Sequence, residues 1–249
     1  MPRFFVRQDR VCENTVSIVG EDAHHIARSL RMAVGDKITV CDMQGNEYAC
    51  EIESFDEDRE VVATVLSKTA ASNEPVCYVT LYQALPKGDK LDTIIQKAVE
   101  CGVSRIVPFQ SERCVVRIKD EAEARKTERR QRISAEAAKQ CGRSVIPQVD
   151  ASITFAQAIK EAKENEDACL FCYEGDDTEP LGRVLRDMEG DFPKRISIFV
   201  GSEGGFSINE ANAARDAKMK MIGLGKRILR TETAPVFVLS SLVCFTELM

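Results

Sequence analysis

Two short stretches hold the residues best suited to chemistry. "FVGSEGGFSINE" runs from Phe199 to Glu210, and "IGLGKRILRTETAP" runs from Ile222 to Pro235. In the first, an apolar run closes on Gly201, Gly204 and Gly205, with the carboxylate of Glu203 among them. Glycines at such a place either let a ligand approach the backbone or permit tight turns. A phosphate is the first ligand to test. The Walker A loop needs Lys directly after its last glycine, and none follows here. The dinucleotide fingerprint fails as well, because Ile228 stands where its third glycine belongs. Ser207 and Glu210 have the spacing of a capping box, which would occupy the first amides of the helix that follows. Both the missing residues and the occupied amides argue against a nucleotide phosphate.

A pair of glycine loops at the ends of neighbouring strands can instead form facing walls of one pocket. Phe199, Val200, Gly201, Glu203 and Gly204 would make one wall, and Leu224, Gly225, Ile228 and Leu229 the other. Backbone amides and carbonyls there could read an adenine edge, while the aliphatic side chains supply apolar contact. Either loop alone reads more simply as a turn. The pairing, with the basic "KRILR" alongside, favours a site.

The elements that must carry these loops are legible from periodicity. Residues 1–70 read as short strands, among them "VSIVG", "KITVCD", "EYACEIESF" and "EVVATVLSK", separated by turn signals that include the run Asp56–Glu60. The exception is a short helix in "EDAHHIARSLRMAVGD", with Ile26, Leu30 and Met32 near helical spacing. A small β-barrel-like domain follows from that pattern. The polar stretch "TAASNEP" reads as a linker. From residue 74 to 249 strands alternate with helices, which predicts a largely parallel α/β sheet. Within it, Leu91, Ile94, Ile95, Ala98 and Val99 form one stripe of a helix that stops at Gly102.

Composition narrows the function classes. With 44% apolar and 30% charged residues among 249, the chain can bury a sizeable core. No run long enough to span a membrane occurs, and "MPRFFVRQDR" lacks the apolar core of a signal peptide, so a cytoplasmic location is expected. The net charge of −6 argues against indiscriminate coating of nucleic acid, yet arginines cluster locally. Arg3, Arg7 and Arg31 lie near the start, and "RKTERRQR" packs five cations into eight positions, which reads equally well as a solvated helix face. The ten cysteines sit mostly in apolar segments, and the lone Cys169–Cys172 pair reads as core packing rather than a metal or redox site. His24 and His25 are remote in sequence from the glycine loops, which favours packing or RNA contact over catalysis.

The two glycine stretches together resemble the carboxy-terminal motifs of the SPOUT-class methyltransferases. More narrowly, they resemble the bacterial 16S ribosomal RNA uridine-N3 methyltransferase (RsmE) family. "PRFFV", "HHIARSLRMAVGD", "QALPKGDKLDTIIQKAVECGVSRIVPFQSERCVV" and "EAAKQCGRSVIPQV" agree with it, so the likeness covers nearly the whole chain, and "RILRTETA" is its most specific part. Two departures stand out: Ser202 where the family often has Pro, and Arg130 where it often has Trp.

The resemblance implies a PUA-like β-barrel over residues 1–70 and a SPOUT α/β-knot (trefoil) methyltransferase domain over 74–249. It also implies S-adenosyl-L-methionine as cofactor, a homodimer with the site at its interface, and 16S rRNA, within the 30S subunit, as substrate. No metal is expected. Methylation of uridine N3 leaves charge on the uracil imide, for which Arg230 is the first candidate stabiliser and Arg143 the second. Glu203 is a candidate base or cofactor-orienting carboxylate. Arg3, Arg7 and Arg31 are candidate RNA phosphate contacts. The alternative is a non-catalytic RNA-binding or ribosome-assembly factor, which has no reason to retain both glycine loops.

Overall fold

The computed structural model describes residues 1–56, 60–118 and 120–249. The turn expected at Asp56–Glu60 falls largely on 57–59, outside the described residues. The chain forms two units, Met1–Glu74 with Ala138–Ile146, and Pro75–Ala137 with Pro147–Met249.

The first unit is built on β1 (Arg3–Phe5), β2 (Thr15–Val19), β3 (Lys37–Cys41), β4 (Asn46–Asp56) and β5 (Glu60–Ala70), in the order β1-β3-β4-β5-β2. Alternation does the sorting: Val16, Ile18, Ile38, Val40, Cys50, Ile52, Val61 and Ala63 point to one buried side. Irregularities in register between Ala49 and Cys50 and between Ile52 and Ser54 bend β4. Helix α1 (Glu21–His24) passes into a π-helical turn, His25–Ser29, and buries Ala23 and Ile26. The apolar stripe expected to continue through Leu30 does not, and that side chain is 41% exposed. Arg31, at φ +52°, takes the chain out of the helix and breaks the period. His24 and His25 are both exposed in this unit.

Residues 138–146 join this unit through Glu74. Its Oε1 accepts from the backbone N–H of Ser144 (2.7 Å) and Val145 (3.0 Å), and its Oε2 accepts from Arg143 Nε (3.1 Å). Asn73 Nδ2 donates to the Gly142 carbonyl (3.0 Å), and Lys139 pairs with Asp22 (2.7 Å).

The second unit is a parallel sheet. Its strands are β6 (Tyr78–Ala84), β7 (Arg105–Gln110), β8 (Gln148–Val149), β9 (Ile153–Thr154), β10 (Ala168–Cys172), β11 (Glu179–Pro180), β12 (Arg195–Val200) and β13 (Lys220–Gly223). Their order is β11-β13-β10-β12-β6-β7-β8, with β9 also on β7. Covered on both faces, β6 and β12 are buried almost without interruption. The connecting helices are α2 (Lys90–Glu100), α3 (Asp120–Cys141), α4 (Phe155–Asn165), α5 (Leu181–Asp187), α6 (Ile208–Asp216) and α7 (Ala234–Glu247). The expected stripe of α2, Leu91 through Val99, is the face it buries.

The basic run on α3 splits in two ways. Arg129 pairs with Asp92 and Arg132 with Glu128 on the surface, whereas Arg130 is 8% exposed. Arg130 meets Glu123 (2.9 Å) and Ser152 Oγ (3.1 Å). Helix α7 is apolar nearly all round, burying Val238, Leu239 and Leu242 while Phe237 stays 41% exposed. Among the described residues, no helix is long and apolar enough to cross a membrane.

Candidate functional site

Strands β13, β10 and β12 are neighbours and parallel, so the loops that leave their C-terminal ends emerge along one edge of the sheet. Those loops enclose a cavity of about 900 Å³, within the size range of small-molecule sites.

The first loop follows β12. Gly205 donates to the Ser202 carbonyl (2.9 Å) and closes a tight turn. A Cβ on Gly201 would lie 3.1 Å from Gly205 Cα, so a side chain there would press against that turn. Phe206 then drops into the core, with its ring 4.2 Å from that of Phe171. Ser207 and Glu210 form the expected capping box: Ser207 Oγ accepts from the Glu210 N–H (3.2 Å) and Glu210 Oε2 from the Ser207 N–H (2.9 Å). Glu210 Oε1 also accepts from Glu112 N–H (2.8 Å), so this carboxylate fixes the loop after β7 as well.

The second loop follows β13 and is fastened to the first. Thr231 Oγ1 donates to the Gly201 carbonyl (2.7 Å) and accepts from Gln83 Nε2 (3.1 Å), a fully buried amide on β6. Gly223 lies where a Cβ would sit 2.9 Å from Thr178 Oγ1. The third wall, Tyr173 to Thr178 after β10, was not anticipated from sequence. Its available signal is another strand-end glycine, Gly175, whose carbonyl accepts from Thr178 Oγ1 (3.0 Å). Cys172, expected in the core, also lines the cavity, and burial pushes its thiol up to about 12. That thiol is not a nucleophile at neutral pH.

Val200, Gly201, Glu203, Gly204, Leu224, Gly225, Ile228, Leu229 and Arg230 all line the cavity. Phe199 does not. Its side chain is fully buried and stacks on Tyr82 at 4.5 Å, which makes it core support for the loop. Glu203 Oε1 accepts from Lys90 Nζ (2.9 Å) and the Lys87 N–H (3.1 Å). Burial opposes its charge, but these hydrogen bonds outweigh it and hold the carboxyl below the ordinary range. Glu203 is therefore a fixed anion and a poor proton acceptor. Lys90 also reaches Glu232 (3.5 Å), so one ammonium joins carboxylates from both loops. Arg230 is exposed at the rim, with no ion pair among the described residues.

Four other sequence candidates lie in the first unit. Arg143 is not among the residues lining the cavity; it is 5% exposed and its guanidinium is held by Glu74. Arg3 is not a free surface cation either, because its guanidinium bonds Glu47 (2.8 Å), Cys41 Sγ (3.0 Å) and Ser144 Oγ (3.3 Å). Arg7 and Arg31 are exposed, and Arg7 pairs with Asp9 at 3.3 Å. Among the described residues, no cluster of three or more His, Cys, Asp or Glu side chains could hold a metal.

Comparison with known families and structures places this parallel sheet, with its glycine loops, and the small β unit in one class: a SPOUT α/β methyltransferase domain with a PUA-like domain. The RNA methyltransferase domain family matches residues 72–243, and the RNA methyltransferase PUA domain family matches 18–65. The ribosomal RNA small subunit methyltransferase E of Bacillus subtilis is 36% identical, covering 100% of this chain and 98% of that one. Its Synechocystis counterpart is 31% identical over 98% of this chain and 78% of its own. A Neisseria gonorrhoeae structure of the same name, bound to S-adenosyl methionine, superimposes with a TM-score of 0.84 at 29% identity, covering 98% and 97% of the two chains. The chain belongs to the ribosomal RNA small subunit methyltransferase E family.

Proposed function

We propose that this protein methylates N3 of a uridine in 16S rRNA of the 30S subunit, using S-adenosyl-L-methionine. The observation that carries the reading is the three-walled pocket at the ends of β10, β12 and β13, in a chain of this family. The pocket suits an adenosyl ligand. It brings the backbone of Gly201, Gly204 and Gly205 to its wall, and it offers aliphatic contact from Val200, Leu224 and Leu229. Loops 201–205, 173–178 and 224–231 would hold the cofactor, which supplies an electrophilic sulfonium methyl.

The chain's own contribution is positioning and charge. The N3–H bond of uridine must break before the new N–C bond forms, and the electron pair then spreads over the imide oxygens. Arg230, a guanidinium at the rim with no ion pair among the described residues, stabilises that anion and so eases loss of the proton to solvent. Glu203, held by Lys90, orients the pocket and does not take the proton. Arg7 and Arg31 contact RNA phosphate from the first unit. The protein works as a homodimer, a reading supported by the exposed Phe237 on the apolar helix α7.

The test is incubation of the purified protein with labelled S-adenosylmethionine and 30S subunits lacking the modification. Mass spectrometry of 16S nucleosides should find N3-methyluridine. Label at another base position would refute the site, and a protein that binds 30S subunits without transferring label would be the assembly factor instead.

A further inference from the structure

Arg113, in the loop after β7, lines the same cavity, and the chemistry proposed above gives it no part. The residue is exposed, so water and solutes reach it. Its loop is fixed: Glu210 Oε1 accepts from the Glu112 N–H (2.8 Å), and the Cys114 N–H closes a turn on the Ser111 carbonyl (3.2 Å). The side chain is fixed as well. It lies along the first glycine loop, where a Cβ on Gly204 would sit 3.1 Å from Arg113 Cβ and 3.6 Å from its Cδ. Nη1 then donates to the Gly204 carbonyl at 2.9 Å. That bond uses one of the five N–H donors of a guanidinium, and its acceptor carries no charge. Among the described residues no carboxylate pairs with Arg113, whereas Lys90, also on the cavity wall, is matched by Glu203 and Glu232. A positioned cation with donors to spare and no anion from its own chain is a receptor for an oxyanion.

We propose that Arg113 binds an oxyanion that a ligand brings into the pocket. The proposal deepens the methyl-transfer reading of this pocket and rests on it. That reading supplies two oxyanions: the carboxylate at the methionine end of the cofactor, and a phosphate of the RNA strand that carries the target uridine. With Nη1 on the Gly204 carbonyl, Nε and Nη2 remain as the pair that can hold two oxygens of one such group. The loop after β7 thereby adds a charged contact to a pocket otherwise read from backbone and aliphatic groups.

The experiment compares the full-length wild type with Arg113→Gln and Arg113→Lys in two arms. Calorimetry measures affinity for S-adenosylmethionine and for its decarboxylated form. Filter binding, without cofactor, measures affinity for 30S subunits lacking the modification across a salt series. If the carboxylate is the partner, Arg113→Gln binds S-adenosylmethionine about tenfold more weakly and the decarboxylated form unchanged. If a phosphate is the partner, cofactor affinity holds, 30S binding weakens about tenfold, and its log–log salt slope falls by about 1. Either result supports the proposal and identifies the source. Arg113→Lys should recover part of the loss, since it restores the charge without the fork. Changes within twofold in both arms would overturn the proposal. So would equal weakening of the two adenosyl compounds with 30S binding unchanged, because Arg113 would then act only by shaping the glycine loop. A wild type that binds neither compound overturns the cofactor reading alone, and the 30S arm still decides on Arg113.

Discussion

Replacing Thr231 with valine keeps the shape of the side chain and removes the hydroxyl that fastens the second glycine loop to the first. In the wild type that hydroxyl donates to the Gly201 carbonyl at 2.7 Å and accepts from Gln83 Nε2 at 3.1 Å. Thr231 is 5% exposed, so water cannot take its place. After substitution the Gly201 carbonyl retains only Gln83 Nε2, at a long 3.4 Å. Leaving such a buried acceptor nearly unpaired costs about 1–3 kcal/mol. The added methyl returns about 0.8 kcal/mol, so the net destabilisation should be about 0.2–2 kcal/mol. For a protein of this size that lowers the melting temperature by up to about 8 °C. The loops would also lose their mutual register, and S-adenosylmethionine should bind about tenfold more weakly, equivalent to about 1.4 kcal/mol. Urea denaturation and calorimetric titration measure the two effects separately. A double-mutant cycle with Gln83→Met should give a coupling above about 0.5 kcal/mol, since the two side chains share a network. If T231V retains wild-type stability and affinity, the two loops are not joined through this hydroxyl and the reasoning fails.

Three further outcomes are expected. Arg230→Ala should lower the methyl-transfer rate by about 10²–10³-fold, as loss of an anion-stabilising donor does, while calorimetric affinity for the cofactor stays near wild type; a rate within threefold of wild type would remove Arg230 from the chemistry. Arg130→Ala strands the carboxylate of Glu123, which is only 8% exposed, and should destabilise by about 3–5 kcal/mol. Replacing both partners together, Arg130→Met with Glu123→Leu, should recover most of that loss in a denaturation series. Asp42, 1% exposed, accepts hydrogen bonds from Gln44, Asn46 and Tyr48; burial opposes its charge, but these bonds prevail and lower its pKa. Its contribution is therefore complete above the ordinary value of 3.8 and is lost as pH falls through the lower folded value. Acid titration of Asp42→Asn should lack that component, and an unchanged acid limb would count against it.

Local pattern carried the elements well and the neighbourhoods poorly. The five apolar positions of α2 are spaced so that burial on a helix is their single consistent solution, and the structure buries all five. The Ser207–Glu210 capping box is a contact between residues three apart, which sequence states directly. Glycine loops at the ends of β12 and β13 were legible too, but the strand between them was not. β10 lies between β12 and β13 in the sheet while preceding both in the chain, so its loop enters the pocket by topology alone. The partners of Arg143 and Arg3 were hidden for a related reason. Sequence identifies a cation, yet the partners that occupy these two, Glu74 and Glu47, lie 69 and 44 residues away. Arg130 inside a basic run looked like surface, and only Glu123 and Ser152 make its burial possible.

Glu74 has a consequence for anyone who cuts the gene. The first unit is discontinuous in sequence, and the carboxylate at its edge is matched by Arg143, Ser144 and Val145, which are translated some 70 residues later. A fragment ending at residue 74 would carry Glu74, Glu47 and Arg3 without those later residues, and the remaining fragment would carry Arg143 without its carboxylate. Neither piece is a transplantable cassette. A free-standing version of the small unit would need residues 138–146 grafted back, and during synthesis that unit cannot complete its contacts until all of α3 and the residues up to Ile146 have left the ribosome.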